Sequence, residues 1–270
     1  MSLYNSHTHS GYSHDATGKI EDMIKYAISG NLSGFAVTDH CDCEYSNDRE
    51  MIRRIEKSYN ETKLLSKKYR QQLMIAAGIE IGDALYDEIF HKKIISSFDW
   101  DVVLCSVHAV KFEKYEMPFS TIDFSVFDED MLEAYIKKYF ENLYQTALNY
   151  DYDILCHITV IFRYIKYKYN KNVEVKHYLE QIERILRVVI NRNKVLEINI
   201  SGYNNGYLMP DIDIIDLYLH LGGKKLSLGN DSHNAIDINK DIQNVHNLLK
   251  KHGINELYFF INRQELCYNI

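Results

Sequence analysis

Proline is nearly absent: only Pro118 and Pro210 occur in 270 residues. No Pro/Gly/Ser-rich stretch marks a linker either, so the expectation is a single domain over residues 1–270. No run reaches the roughly 18 apolar residues that a membrane helix needs. The N-terminus lacks a basic segment followed by an apolar one, so no secretion signal is read there. These absences predict a cytoplasmic protein with no membrane contact. Basic charge is scarce too: 31 Lys and Arg face 38 Asp and Glu, a net charge of −7. Such a balance gives no broad footprint for nucleic acid, although a locally positive pocket can still take a small anion. The five cysteines are odd in number and three lie in apolar runs, as reduced thiols do. Cys41-Asp-Cys43 has no second cysteine pair, so no structural zinc is expected there.

Against these absences stand short apolar or β-branched runs, alternating with longer segments of helical period. The predicted strands are Leu3–His7, Gly34–Thr38, Leu73–Ile79, Val102–Ser106, Ile154–His157, Val195–Ile200 and Leu226–Leu228, with an eighth apolar run at Leu257–Ile261. The predicted helices are Ile20–Ser29, Glu50–Tyr69, Asp128–Asn149, Val175–Asn191, Ile212–Leu221 and Ile238–Lys251. Alternation of this kind predicts a parallel sheet with crossover helices. Seven or eight units in a chain of this length predict a closed barrel rather than an open sheet. Ala109–Phe127 reads as a long loop that could cover a site mouth. The 22 tyrosines fall mostly in helical stretches and read as packing and rim residues.

The strand ends share one chemistry. The first ends in His7-Thr-His9, the second in Thr38-Asp39-His40, and the third carries Glu80. The fourth ends in Ser106-Val107-His108, the fifth in Cys156-His157, and the seventh runs into Asp231-Ser-His233. Residues i and i+2 of a strand point the same way, so each H-x-H or D-x-H pair can face one cavity. The C-terminal rim of a parallel barrel is where active sites form. Imidazole with carboxylate suits Zn, Mn or Fe, and this set exceeds what one four-coordinate zinc needs. Two or three divalent ions so placed can make hydroxide at neutral pH and clamp a phosphoryl group. His91, His177, His220, His246 and His252 fall in helical segments and are expected to be solvated or partly packed.

The ordered set H-x-H, T-D-H, isolated Glu, S-V-H, C-H and D-S-H resembles the polymerase-and-histidinol-phosphatase (PHP) superfamily, from His7 to His233. "HITVIFRY" and "EINISG" are most similar to its histidinol-phosphate phosphatases. The resemblance implies a distorted (β/α)7 TIM-like barrel with a trinuclear metal centre. It places His7, His9, Glu80 and Asp231 on one ion, and a bridging Glu80 with His108 and His157 on the second. The third falls to His40, His233 and a residue of the opening stretch, Asp15 in preference to His14. It implies a histidinol-phosphatase in which a metal-bridging hydroxide attacks phosphorus, with Asp231 or His233 protonating the leaving alkoxide. Arg163 would grip phosphate, and Asn199 and Ser201 would line the pocket. The partner is then a small phosphorylated substrate; no feature sets an oligomeric state.

One departure stands out. These phosphatases typically follow "EINTSG" with an arginine that also grips phosphate, whereas here "EINISGYNNGYLMP" supplies Tyr203, Asn204 and Asn205, with no Lys or Arg before Lys224. That keeps open another phosphomonoester or a nucleotide phosphodiester as substrate. An amidohydrolase-type barrel also begins with H-x-H, but no lysine ends a strand here, and the T-D-H and D-S-H ligands would be surplus. A non-enzymatic relative would have lost ligands that this chain keeps.

Overall fold

The computed structural model describes residues 2–270. Its first half runs β1 (Tyr4–Thr8), α1 (Ile20–Ser29), β2 (Gly34–Val37), β3 (His40–Asp42), α2 (Arg49–Tyr69), β4 (Met74–Gly82), α3 (Glu88–Ser97), β5 (Val102–Ser106) and α4 (Glu129–Asn149). The second half runs β6 (Ile154–Leu155), α5 (Leu179–Asn191), β7 (Val195–Asn199), α6 (Ile212–His220), β8 (Leu226–Gly229), α7 (Ile242–Lys251), β9 (Glu256–Ile261) and β10 (Gln264–Asn269). Seven strands pair in parallel in the order β1-β2-β4-β5-β6-β7-β8, with helices around them. These strands are buried on both faces, as parallel strands under crossover helices must be. Helix α1 shows the local logic: Ile20, Met23, Ile24 and Ala27 fall on one stripe and are buried. Helix α4 starts where the Asp128 side chain accepts from the Met131 N–H at 2.8 Å, satisfying one of its free amides.

The barrel closes beyond the ends of its first and last strands. The Asp231 N–H donates to the His7 carbonyl at 2.9 Å, and the His9 N–H donates to the Ser232 carbonyl at 2.9 Å. The seam therefore lies among the residues expected to bind metal.

Several boundaries differ from the sequence reading. Strand β2 stops at Val37, and the chain resumes as β3, which pairs with the upper part of β4 in the register His40↔Glu80. With β2 below, β3 above and β5 on its other side, β4 runs on to Gly82, so Glu80 lies inside a strand. Helix α7 begins at Ile242 rather than Ile238, because Asn230 Nδ2 donates to the carbonyls of Asp237 and Ile238 at 2.7 and 3.2 Å and holds that stretch out of the helix. Helix α3 was not predicted; its polar sequence shows little amphipathic pattern. His91 and His246 are fully buried rather than solvated, and burial pushes both imidazoles down to about 4.

The eighth apolar run is not a barrel strand. It forms an antiparallel hairpin, β9 with β10, turning at Asn262-Arg263 with φ of 52° and 58°. A two-residue turn with both φ positive matches the twist of its strands. The hairpin closes the lower, N-terminal end of the barrel. Phe259 and Tyr268 pack on Tyr4 with ring centres 4.7 Å away, and Arg263 reaches Asp153 and Asp151 at 2.7 and 3.0 Å. Among the described residues no helix is long and apolar enough to cross a membrane.

Candidate metal centre

Glu80 is the hub. It is completely buried, and five imidazoles reach it: His40 and His157 at 2.9 Å, His108 at 3.2 Å, His7 at 3.4 Å and His9 at 3.6 Å. His9 Nε2 also lies 3.1 Å from Asp231 Oδ1, and the His233 ring lies tilted beside His9 with ring centres 4.3 Å apart. Asp15 turns inward, 3.7 Å from His40 Nε2 and 3.4 Å from His233 Nε2, while the His14 side chain is 58% exposed. The structure thus brings together His7, His9, Asp15, His40, Glu80, His108, His157, Asp231 and His233, and leaves His14 at the rim.

Partners behind the ring fix which nitrogen faces in. His7 Nδ1 meets Glu197 at 2.7 Å, His9 Nδ1 meets Ser13 Oγ at 3.1 Å, His108 Nδ1 meets Asp42 at 2.9 Å, and His233 Nδ1 meets the Asp231 carbonyl at 2.9 Å. Ser13 Oγ donates its own proton to Asp39 at 2.8 Å, so toward His9 it can only accept. Each of these four rings therefore keeps a proton on Nδ1 and turns Nε2 toward the centre, the nitrogen that a cation would take in place of a proton. Outer acceptors orient metal-binding histidines in this way. Two glycines make room for it. A Cβ on Gly229 would fall 2.4 Å from His7 Cβ and 2.5 Å from Glu197 Oε1; one on Gly82 would fall 2.0 Å from Asp42 Oδ1.

Without a cation the centre is poorly satisfied. His7 Nε2 and His9 Nε2 lie 3.0 Å apart, two ring nitrogens sharing the space of one proton. Glu80 Oε2 and His40 Nδ1 approach to 2.9 Å but are not aligned as a hydrogen bond, and both are buried with no hydrogen-bond partner. Burial drives the Glu80 carboxyl up, but the charges of His108, His7 and His40 outweigh it and hold the group well below the usual carboxylate range. Burial and the neighbouring His40 push His9 down to about 3, so it is a neutral donor. Several His/Glu groupings, among them His7-His9-Glu80, His40-Glu80-His108 and His9-His40-His233, have ligand atoms close enough to share an ion. His157 and Asp231, just past β6 and β8, adopt positive φ of 27° and 52°.

Above the centre lies a cavity of about 620 Å³. The 109–127 loop covers one side: the Phe119 N–H bonds the His108 carbonyl at 2.9 Å, and its ring packs on Tyr164 at 5.1 Å. Arg163 begins a π-helical segment, Arg163–Lys168, and donates to Ser201 Oγ at 3.4 Å. Among the described residues no carboxylate comes within ion-pair distance of it. Asn199 lies deeper: it is fully buried, accepts from Ser201 Oγ at 2.7 Å, and donates to Asp231 Oδ2 at 3.4 Å.

Sequence reasoning missed Glu197 and Asp42, the acids behind His7 and His108. Glu197 was legible as a lone acid in the apolar run "VLEINI", on the same strand face as Asn199.

A family model described as PHP domain matches residues 5–201. The chain is 25% identical over 260 residues to a probable histidinol-phosphatase of Clostridium acetobutylicum, covering 95% of this chain and 96% of that one. It is 26% identical over 270 residues to a histidinol-phosphatase of Lactococcus lactis, covering 96% and 95%. The crystal structure of histidinol phosphate phosphatase from Lactococcus lactis, complexed with zinc, L-histidinol and phosphate, superposes with a TM-score of 0.79 at 22% identity, over 98% of each chain.

Proposed function

The chain belongs to the PHP domain family, and from that premise we propose that it is a cytoplasmic, metal-dependent phosphomonoesterase. In this reading residues 1–270 act as one domain that converts L-histidinol phosphate and water to L-histidinol and phosphate. The names of the two relatives and the ligands of the Lactococcus lactis structure support this substrate. One observation carries the reaction class: four imidazoles, each held from behind at Nδ1, turn Nε2 into one carboxylate-bearing centre.

His7, His9, Glu80 and Asp231 would hold one divalent ion. Glu80, His108 and His157 would hold a second, and Asp15, His40 and His233 a third. The mixed N/O donors fit Zn, Mn and Fe, and the relative's zinc favours zinc. Bound ions supply Lewis acidity: they make water acidic near neutral pH and offset phosphoryl charge. The remaining work falls to side chains. Arg163 offers a planar fork to two phosphoryl oxygens, and Ser201 steadies that fork. His233 has its Nδ1 proton committed to the Asp231 carbonyl. Asp231 Oδ2, bonded among the described residues by Asn199, is thus the atom that takes a proton from attacking water and passes it to the departing oxygen. Phe119, Met117 and Tyr164 wall the cavity with apolar surface suited to a flat leaving group.

The test is phosphate release from L-histidinol phosphate by protein reconstituted with Zn or Mn, beside a panel of other phosphomonoesters and a phosphodiester. Selective turnover of histidinol phosphate is expected. Turnover of the other esters alone removes the substrate and keeps the chemistry. Diester cleavage alone favours the nucleotide reading, which the lack of a Lys or Arg between Asn199 and Lys224 supports.

A further inference from the structure

A phosphoryl group bound against Arg163 alone has one protein cation. The loop after β7, where the family's second arginine would stand, has none. A smaller cavity of about 240 Å³ opens beside Asp231 and His233, and Arg163, Ser201 and Lys240 all line it. Lys240 lies in the connection between β8 and α7, far in sequence from the missing arginine.

That connection is rigid where it carries Lys240. Asn5 and Asn230 are buried and bonded to each other at 2.6 Å. Asn5 Nδ2 also holds the Ile238 carbonyl at 2.9 Å, and Asn230 Nδ2 holds the Asp237 carbonyl at 2.7 Å. The ammonium itself is loosely engaged: its carboxylate neighbour, Asp237, stands 3.8 Å away, beyond a hydrogen bond. The other nearby acid, Asp241, is occupied by the Asn204 and Asn244 amides at 2.5 and 3.3 Å. Asn204 thus does not face phosphate as an arginine would; it ties down the segment next to Lys240.

We propose that Lys240 is the second phosphate-binding cation, reaching the phosphoryl oxygens from the β8–α7 connection into the cavity that Arg163 also lines. The proposal rests on the phosphomonoesterase reading for its substrate. Lysine is a point charge on a flexible stem, so it adds attraction without the second fork of an arginine.

The experiment measures inorganic phosphate binding to the zinc-loaded protein by calorimetry, together with steady-state kinetics on histidinol phosphate, for wild type, Lys240→Met, Lys240→Arg and Lys250→Met. Loss of one charge-assisted bond at a partly exposed cation is expected to weaken phosphate binding on the order of tenfold in Lys240→Met. KM should rise by the same factor, with kcat and metal content nearly unchanged. Lys240→Arg should restore most of the affinity, and Lys250→Met, on the outside of α7, should behave as wild type. Unchanged phosphate affinity in Lys240→Met overturns the proposal, as does an equal loss in Lys250→Met. Binding is read without turnover. A wild type that hydrolyses no phosphomonoester therefore sinks the function while phosphate affinity still decides Lys240.

Discussion

At the lower rim of the barrel, Asp101 and Asp153 are buried carboxylates with every oxygen engaged. Asp101 accepts from the Ala77 and Asn262 N–H groups at 2.8 and 3.0 Å, and Asp153 accepts from the Val103 N–H at 2.8 Å and from Arg263 at 2.7 and 2.9 Å. At the upper rim, Glu80 is buried as deeply, yet Oε2 has no hydrogen bond. One rim closes its charges by pairing; the other leaves them converging on a space. The same residue type holds the fold together below and supports chemistry above, and hydrogen-bond satisfaction separates the two roles where burial does not.

The largest expected effect tests the upper rim. Glu80→Gln should lower turnover about a thousandfold, the equivalent of about 4 kcal/mol, because it removes the shared anionic donor. Metal analysis should show ions lost; full metal content with full activity would break the distinction. At the lower rim, Arg263→Ala leaves Asp153 buried without its cation and should cost about 3 kcal/mol in urea unfolding, with kcat of the folded protein unchanged. A loss of kcat at constant stability would mean that the rims are not separate. The smallest effect is a proton count. In the metal-free protein burial lowers the His233 imidazole, but Asp15 and Asp231 outweigh it and raise the group to about 9. Below that pH His233 is charged, and a metal needs it neutral, so zinc uptake at pH 7 should release about one proton from this site. Well above pH 9 that release should vanish; dye-monitored titration in weak buffer reads the difference.

The contrast also explains what the sequence made legible. Strand-end histidines stand out because H-x-H, T-D-H and D-S-H repeat a rare residue at the positions where a parallel barrel exposes its side chains. Glu197 and Asp42 act one layer behind that ring, and an acid inside an apolar strand gives no period of its own. The eighth apolar run could not be placed as a hairpin strand, because an apolar run says nothing of direction, and its Asn262-Arg263 turn lacks the glycine that usually marks such a bend. His246 could have been placed: it sits in step with Ile242, Val245 and Leu249, all buried on α7. The π-helical segment from Arg163 has the same local composition as an ordinary helix turn.

The seam of the barrel has a consequence for the order in which the protein is made. His7 and His9 emerge from the ribosome at the start of the chain, and Asp231 and His233 more than two hundred residues later. The backbone bonds from the Asp231 N–H to the His7 carbonyl and from the His9 N–H to the Ser232 carbonyl join these two regions directly. A nascent chain short of residue 231 therefore has neither a closed sheet nor a full set of donors. Sheet closure and completion of the donor set are one event, so a chain broken off during synthesis cannot present the finished centre.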